Sequence, residues 1–171
     1  MPKCGDRMTY EFLTKRQRET MLPILFDLLY ENMDKIAPGE GTYSEQKETW
    51  VSKVSFALRR PSRQILMFCH LGEPVGFVMY YFRSGMLMVE ELQLKRSVQR
   101  SSAFLDCCRS MCYLISEGVE TLEAYADRRN LASIRMMQKL GMTVLDDGEG
   151  TPFVHFRGDY QTVKKHFVHD R

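Results

Sequence analysis

Two adjacent carboxylates, Glu90 and Glu91, stand inside the otherwise apolar run from Met86 to Lys95. In a strand they alternate: Met86, Met88, Glu90, Leu92 and Leu94 share one face, and Leu87, Val89, Glu91, Gln93 and Lys95 the other. At most one acid can therefore face a given cleft. Apolar neighbours withdraw solvent from a carboxylate and raise its pKa toward that of a useful general base. The plainer roles are binding substrate, pairing with an arginine, or facing solvent near an edge. The histidines at 70, 155, 166 and 169 form no triad or metal set and read as ordinary surface or core residues. Five cysteines, at 4, 69, 107, 108 and 112, are poor disulfide arithmetic and suit a reducing compartment. Cys108 and Cys112 lie one helical turn apart, but no second His or Cys pair sits at metal-binding spacing nearby. They read as core fillers, and no metal is expected.

The elements that must position the acids follow from periodicity. Residues 10–13 read as an edge strand, and Thr14-Lys15-Arg16-Gln17 has capping-box spacing. A helix over 15–34 follows, with Leu22, Phe26, Leu29 and Met33 on one face, and Pro23 is expected to bend or divide it. After a Gly- and Pro-bearing loop, Thr42 or Ser44 caps a second helix carrying Trp50, Val54 and Leu58. Residues 65–70 and 74–82 form a hairpin about Leu71-Gly72-Glu73, and Arg83-Ser84-Gly85 turns into the strand of the two acids. Residues 101–117 return to helix, with Phe104, Cys108, Met111 and Ile115 on one stripe. A strand over 121–126, a helix over 130–140, a strand over 143–147 and one or two strands between 153 and 168 complete the chain. This order predicts an α/β (α+β) fold, a mixed sheet covered on both faces by helices.

The bulk numbers set limits. A chain of 171 residues suits a single domain spanning 1–171, and 44% apolar with 27% charged residues is an ordinary globular composition. A net charge of +2 gives no global case for nucleic acid, and the basic segments 95–100 and 164–166 lack aromatic interleaving. No apolar run approaches the ~18 residues of a membrane span. The first seven residues lack a signal peptide's apolar stretch, so a cytoplasmic protein with no membrane or nucleic-acid partner is expected.

The segment Asn130-Leu131-Ala132-Ser133-Ile134-Arg135-Met136-Met137-Gln138-Lys139-Leu140-Gly141-Met142 resembles the N-x-x-A-x-x-x-Y-x-K-x-G-F segment of the GCN5-related N-acetyltransferases, the GNAT superfamily. Ser133 stands at the usual alanine, Met137 at the usual tyrosine and Met142 at the usual phenylalanine. Gly72-Glu73-Pro74-Val75-Gly76-Phe77 loosely matches the family's glycine-flanked hairpin, and the element order resembles its mostly antiparallel fold along nearly the whole chain. Gln99-Arg100-Ser101-Ser102-Ala103-Phe104 matches the family's Q/R-x-x-G-x-G/A pyrophosphate turn in degenerate form, with Ser102 and Phe104 at the two small positions. Such a turn serves a phosphate through free amides at a helix N-terminus.

The resemblance implies an acetyltransferase that moves an acyl group from acetyl-CoA to a primary amine on a small molecule or peptide, by direct attack. It places the acyl carbonyl against a backbone amide among Leu92, Gln93, Leu94 and Lys95. The phosphates would meet Gln99, Arg100, Ser101, Ser102, Ala103 and Phe104, and Lys95 and Arg96 could add charge. Phe104 is expected to point into the core along its helical stripe. Asn130, with Ser133, would contact the cofactor arm, and Asn130 also reads as a helix cap. Glu90 or Glu91 would be the base. A thioether at Met137 cannot donate a proton, so the thiolate leaves unaided or another hydroxyl, first Tyr125 and then Tyr80 or Tyr81, reaches the sulfur. Glu31, Asp34, Glu40 and Glu45 could attract a cationic acceptor, and a homodimer is implied as a possibility by the family only. The competing expectation is a weak or inactive protein of this fold that binds acyl-CoA or a protein partner.

Overall fold

The computed structural model describes residues 8–115, 117–146 and 149–168. Seven strands, β1 (Met8–Phe12), β2 (Arg63–His70), β3 (Glu73–Arg83), β4 (Met86–Leu94), β5 (Thr121–Asp127), β6 (Thr143–Asp146) and β7 (Phe153–Asp159), form one sheet in the order β1-β2-β3-β4-β5-β7-β6. β4 and β5 run parallel, while β1–β2, β5–β7 and β6–β7 are antiparallel. A parallel pair needs a crossover, which α3 (Arg96–Gln99) and α4 (Ser102–Leu114) supply. The remaining helices are α1 (Arg18–Met33), α2 (Tyr43–Ala57), α5 (Leu131–Lys139) and α6 (Tyr160–Lys165). None of the described helices is long and apolar enough to cross a membrane.

Two compact units emerge, Met1–Met79 with Glu91–Phe104, and Tyr80–Glu90 with Leu105–Arg171. In the first, Leu22, Leu25 and Leu28 of α1 and Val54 of α2, with Leu58 beyond its end, bury against Ile65, Met67 and Cys69 of β2 and Phe77 and Met79 of β3. The alternate residues Leu66, Phe68 and Val78 are buried as well, so these strands are covered on both faces, as their continuous apolar runs require. In the second unit, Ala124 and Ala126 of β5, Val154 and Phe156 of β7, Met137 of α5, Met142 and Val163 of α6 form a separate core.

The local signals mostly act as expected. Thr14 and Gln17 form the capping box, heading a 3₁₀ turn over Lys15–Gln17 before α1. Thr42 rather than Ser44 caps α2, in a second capping box with Glu45. The two hairpin turns place Leu71 and Gly72, then Ser84 and Gly85, at positive φ, as two-residue primed turns demand. Pro23 does not divide its helix. It lies inside a continuous α1, because Leu22, Leu25, Phe26 and Leu28 around it are all buried. Each contributes about 1.5–3 kcal/mol, against about 3 kcal/mol for an internal proline. Of the one or two strands expected in the tail there is one, followed by a helix that was not expected: Asp159 accepts a 2.7 Å hydrogen bond from the Thr162 amide and starts α6.

Candidate active site

In the first unit, a network of amide side chains closes on the end of β4. The Leu94 carbonyl accepts from Asn32 Nδ2 at 2.9 Å and from Gln99 Nε2 at 2.8 Å. Asn32 Nδ2 also donates to Gln93 Oε1 at 2.8 Å, and Gln99 Nε2 to Asn32 Oδ1 at 3.2 Å. Gln93 Nε2 donates in turn to Glu91 Oε1 at 2.6 Å. Asn32 and Gln93 are buried, so these groups require partners and receive them. The last turn of α1 is thereby tied to the β4 terminus and to the loop that follows. Gly76 allows β3 to lie close here: a Cβ on it would sit 2.6 Å from the Gln93 carbonyl oxygen. The Lys95 amide is bound by the Val75 carbonyl at 2.8 Å, which leaves it unavailable to an acyl oxygen.

The turn after β4 is more closed than its residue types suggest. Val98 and Gln99 amides bond the Lys95 carbonyl, giving the short helix α3. The Ser101 amide and hydroxyl both bond the Val98 carbonyl, and the Phe104 amide bonds the Ser101 carbonyl. Gln99 turns its amide inward to Asn32 and Leu94. By position, the Ser102 and Ala103 amides at the start of α4 fall outside a helix's own ladder. Ser102 and Arg100 are exposed, and Lys95 and Ala103 half-buried, so cations and amides remain that could meet phosphate. Phe104 is half-buried rather than in the core; the buried residues of α4 are Cys107, Cys108 and Cys112. Burial pushes the Cys107 and Cys108 thiols up to about 12, and these two residues pack as small apolar groups. Arg96 donates to the Glu31 carbonyl and lines an open cleft with Tyr30, Glu31, Asp34 and Lys35. Glu45 is committed to Thr42, whose hydrogen bonds hold its carboxyl below the usual range.

The second unit holds a row of polar side chains on one face of β5 and β7. Antiparallel register sets Glu123 opposite Arg157 and Tyr125 opposite His155. Glu123 is 4% exposed. Its Oε1 accepts from Nε and Nη2 of Arg157, the Nε bond at 2.7 Å, and its Oε2 lies 2.8 Å from His155 Nε2. Burial pushes this carboxyl up, but the hydrogen bonds from Arg157 and His155 outweigh it and hold it below the ordinary range. Tyr125, half exposed, stacks on the His155 ring with centroids 4.3 Å apart. Parallel register pairs Met88 with Glu123, so Glu90, two residues on along β4, belongs to this face. Tyr80 is 1% exposed with its hydroxyl pushed up to about 12 by burial, which makes it a poor proton source.

Asp127 fixes the β5–α5 corner, accepting from the Arg129 amide and guanidinium at 2.8–2.9 Å. Asn130 caps α5 by accepting from the Ser133 amide at 3.2 Å, so both residues serve the cap. Met137 lies in the core of this unit, a thioether among Ala124, Ala126 and Phe156. Among the described residues no cluster of His, Cys, Asp and Glu could hold a metal.

Asn32, Glu123, His155 and Arg157 are the site residues that the pattern of residue types did not single out. Asn32 had a signal, an amide at the 25-28-32 helical spacing of buried leucines. Glu123 had one too, an acid amid the apolar strand 121–126. His155 and Arg157 had none, because their partner lies 32 and 34 residues away in sequence.

No family model matches this sequence, and no curated protein matches it. Solved structures do match its fold. An acetyltransferase from Thermus thermophilus superposes with a TM-score of 0.71 at 17% identity, covering 89% of this chain and 96% of that one. The PaiA N-acetyltransferase of Thermoplasma acidophilum, solved in complex with coenzyme A, gives 0.65 at 17% identity, covering 90% and 99%. A probable GNAT-family acetyltransferase from Chromobacterium violaceum gives 0.66 at 12% identity, covering 95% and 86%. With the strand order and the β4–α3–α4–β5 crossover described above, these matches give the chain the fold of the GCN5-related N-acetyltransferases.

Proposed function

We propose that this chain transfers an acetyl group from acetyl-CoA to a primary amine. The observation that carries the reading is the fold shared over nine-tenths of the chain with an N-acetyltransferase that holds coenzyme A. The residues present suit the donor: exposed Arg100 and Ser102, half-buried Lys95 and Ala103, and the first amides of α4 offer charge and N–H groups to a pyrophosphate. Direct attack needs no nucleophilic side chain. The amine nitrogen bonds to the thioester carbon, the C–S bond breaks, and the thiolate leaves with its electron pair. A primary ammonium must lose two protons on the way to an amide. Of the β4 acids, Glu90 shares a sheet face with Met88 and with Glu123, on the side that carries the polar row of β5 and β7. Glu90 is accordingly the carboxylate that receives the cationic amine and takes its first proton. With Met137 in the core, the thiolate takes its proton from water.

Two observations favour a second reading, a protein that binds acyl-CoA without turnover. The Ser101 amide and hydroxyl are internally bonded, and Phe104 occupies a position that the fold's phosphate turn keeps small. Calorimetric titration with acetyl-CoA, and with dephospho-CoA beside it, separates the readings when followed by thiol release from acetyl-CoA with amines. Saturable binding that weakens without the 3′-phosphate, followed by amine-dependent thiol release, supports transfer. Binding without release supports the second reading, and no binding at millimolar acetyl-CoA removes both.

A further inference from the structure

Glu123 and His155 form a carboxylate–imidazole pair to which acetyl transfer by Glu90 assigns no task. Arg157 alone would neutralise Glu123, and its guanidinium engages only Oε1. The second oxygen is given to an imidazole. An ionised carboxylate only accepts hydrogen bonds, so the ring nitrogen beside it, Nε2, must carry the proton. That leaves the lone pair on Nδ1. The ring is held on one face by Tyr125 and its side chain keeps 15% of its exposure, against 5% for Glu123. A buried carboxylate that fixes one tautomer and stabilises the imidazolium formed on protonation is the arrangement by which an acid positions a histidine base.

We propose that His155 is a second proton acceptor of the acyl transfer, with Glu123 as its positioning residue; this rests on the acetyltransferase reading above. As the amine nitrogen bonds to the thioester carbon and the thiolate departs, the nitrogen's remaining excess proton passes to Nδ1 of His155. The imidazolium, facing the Glu123 carboxylate, then returns it to solvent. The charged and titratable groups on the strands beside the ring are Glu123 and Tyr125 from β5, Arg157 from β7 and Asp146, the register partner of His155 on β6; Glu90 lies on the same sheet face one strand further away, on β4.

The test uses the full chain, acetyl-CoA, and three amines: spermidine, a lysine-containing peptide and a peptide with a free glycine amino terminus. His155→Ala should bind acetyl-CoA within about twofold of wild type and lose about 100-fold in kcat. Added imidazole should restore its rate but not that of Glu90→Gln. Glu123→Gln should lower kcat about tenfold and let the Nδ1–H tautomer of the ring appear by nitrogen-15 NMR, because a glutamine amide can present either its oxygen or its NH2 to Nε2. Nitrogen-15 NMR of the wild-type ring reads the tautomer without any turnover, and the Nδ1–H form would overturn the assignment. So would a His155→Ala rate within about threefold of wild type, or a loss that imidazole does not rescue in a variant whose circular dichroism is unchanged. Those results leave the transferase reading standing. Absence of acetyl-CoA binding, or binding without thiol release for all three amines, removes the transferase reading and this assignment with it.

Discussion

Asn32 occupies a helical position whose neighbours along the same face, Leu25 and Leu28, are wholly apolar. It is kept polar because three groups depend on it: the Gln93 side-chain oxygen, the Leu94 carbonyl and the Gln99 amide. Asn32→Leu conserves size but removes the donors, leaving buried acceptors short of a partner at a cost of about 1–3 kcal/mol. Urea unfolding at pH 7 should show that loss as a lower midpoint with an unchanged slope. Acid sensitivity is also a residue-scale property. Hydrogen bonds from Arg129 hold the Asp127 carboxyl below its ordinary value despite its burial. A carboxyl lowered in the folded state stabilises the fold at pH above about 4 and gives that up as pH falls through its folded value. Asp127→Asn should therefore be less stable than wild type at pH 7, with the gap closing below about pH 4, as read from urea midpoints across that range.

At the scale of elements, the least tolerant contact is between β3 and the end of β4. A methyl group on Gly76 would lie 2.3 Å from Leu94 Cδ2 and 2.6 Å from the Gln93 carbonyl oxygen, and the latter is backbone that cannot swing aside. Gly76→Ala should cost about 1–3 kcal/mol by overpacking. It should also weaken acetyl-CoA binding, measured by calorimetry, since Lys95 and the following turn hang from that terminus. The elements themselves were largely legible. Period-two and period-3.6 patterns marked β2 to β5 and α1, α2, α4 and α5, and Thr14, Thr42 and Asn130 marked starts by their cap chemistry. Pro23 misled because its local cost is set against tertiary burial that no window of sequence displays. α6 was missed because Val163 and Phe167 read equally as strand or helix when the Asp159 cap is overlooked. For the candidate site, Glu90 and Glu91 were visible as acids in an apolar strand, and Tyr125 only as the nearest hydroxyl in sequence to Met137. The His155–Glu123 contact was not, since only the β5–β7 register brings those positions together.

For the molecule as a whole, the fold is one that solved acetyltransferases share, while single residues decide what a chain of this fold does. The same sheet order can hold an enzyme or a binder, and side chains such as Ser101, Phe104 and Met137 bear on the difference. Continuity of the chain also bears on how it unfolds. β3 and β4 each contribute residues to both compact units, so neither unit can lose its strands without taking residues from the other. This predicts one cooperative transition rather than two. The sequence supplies a reporter for each unit. Trp50, the single tryptophan, packs on Phe26 and Phe77 in the first unit. Cys107, Cys108 and Cys112 are buried in the second. With Cys107 and Cys108 held as thiols by burial, native protein at pH 8 should resist labelling at those two positions and label rapidly once unfolded. Across a urea series, tryptophan fluorescence and mass-mapped labelling of Cys107 and Cys108 should share one midpoint. Two separated midpoints would mean that each unit holds its half of β3 and β4 independently, and the cooperative account would fall.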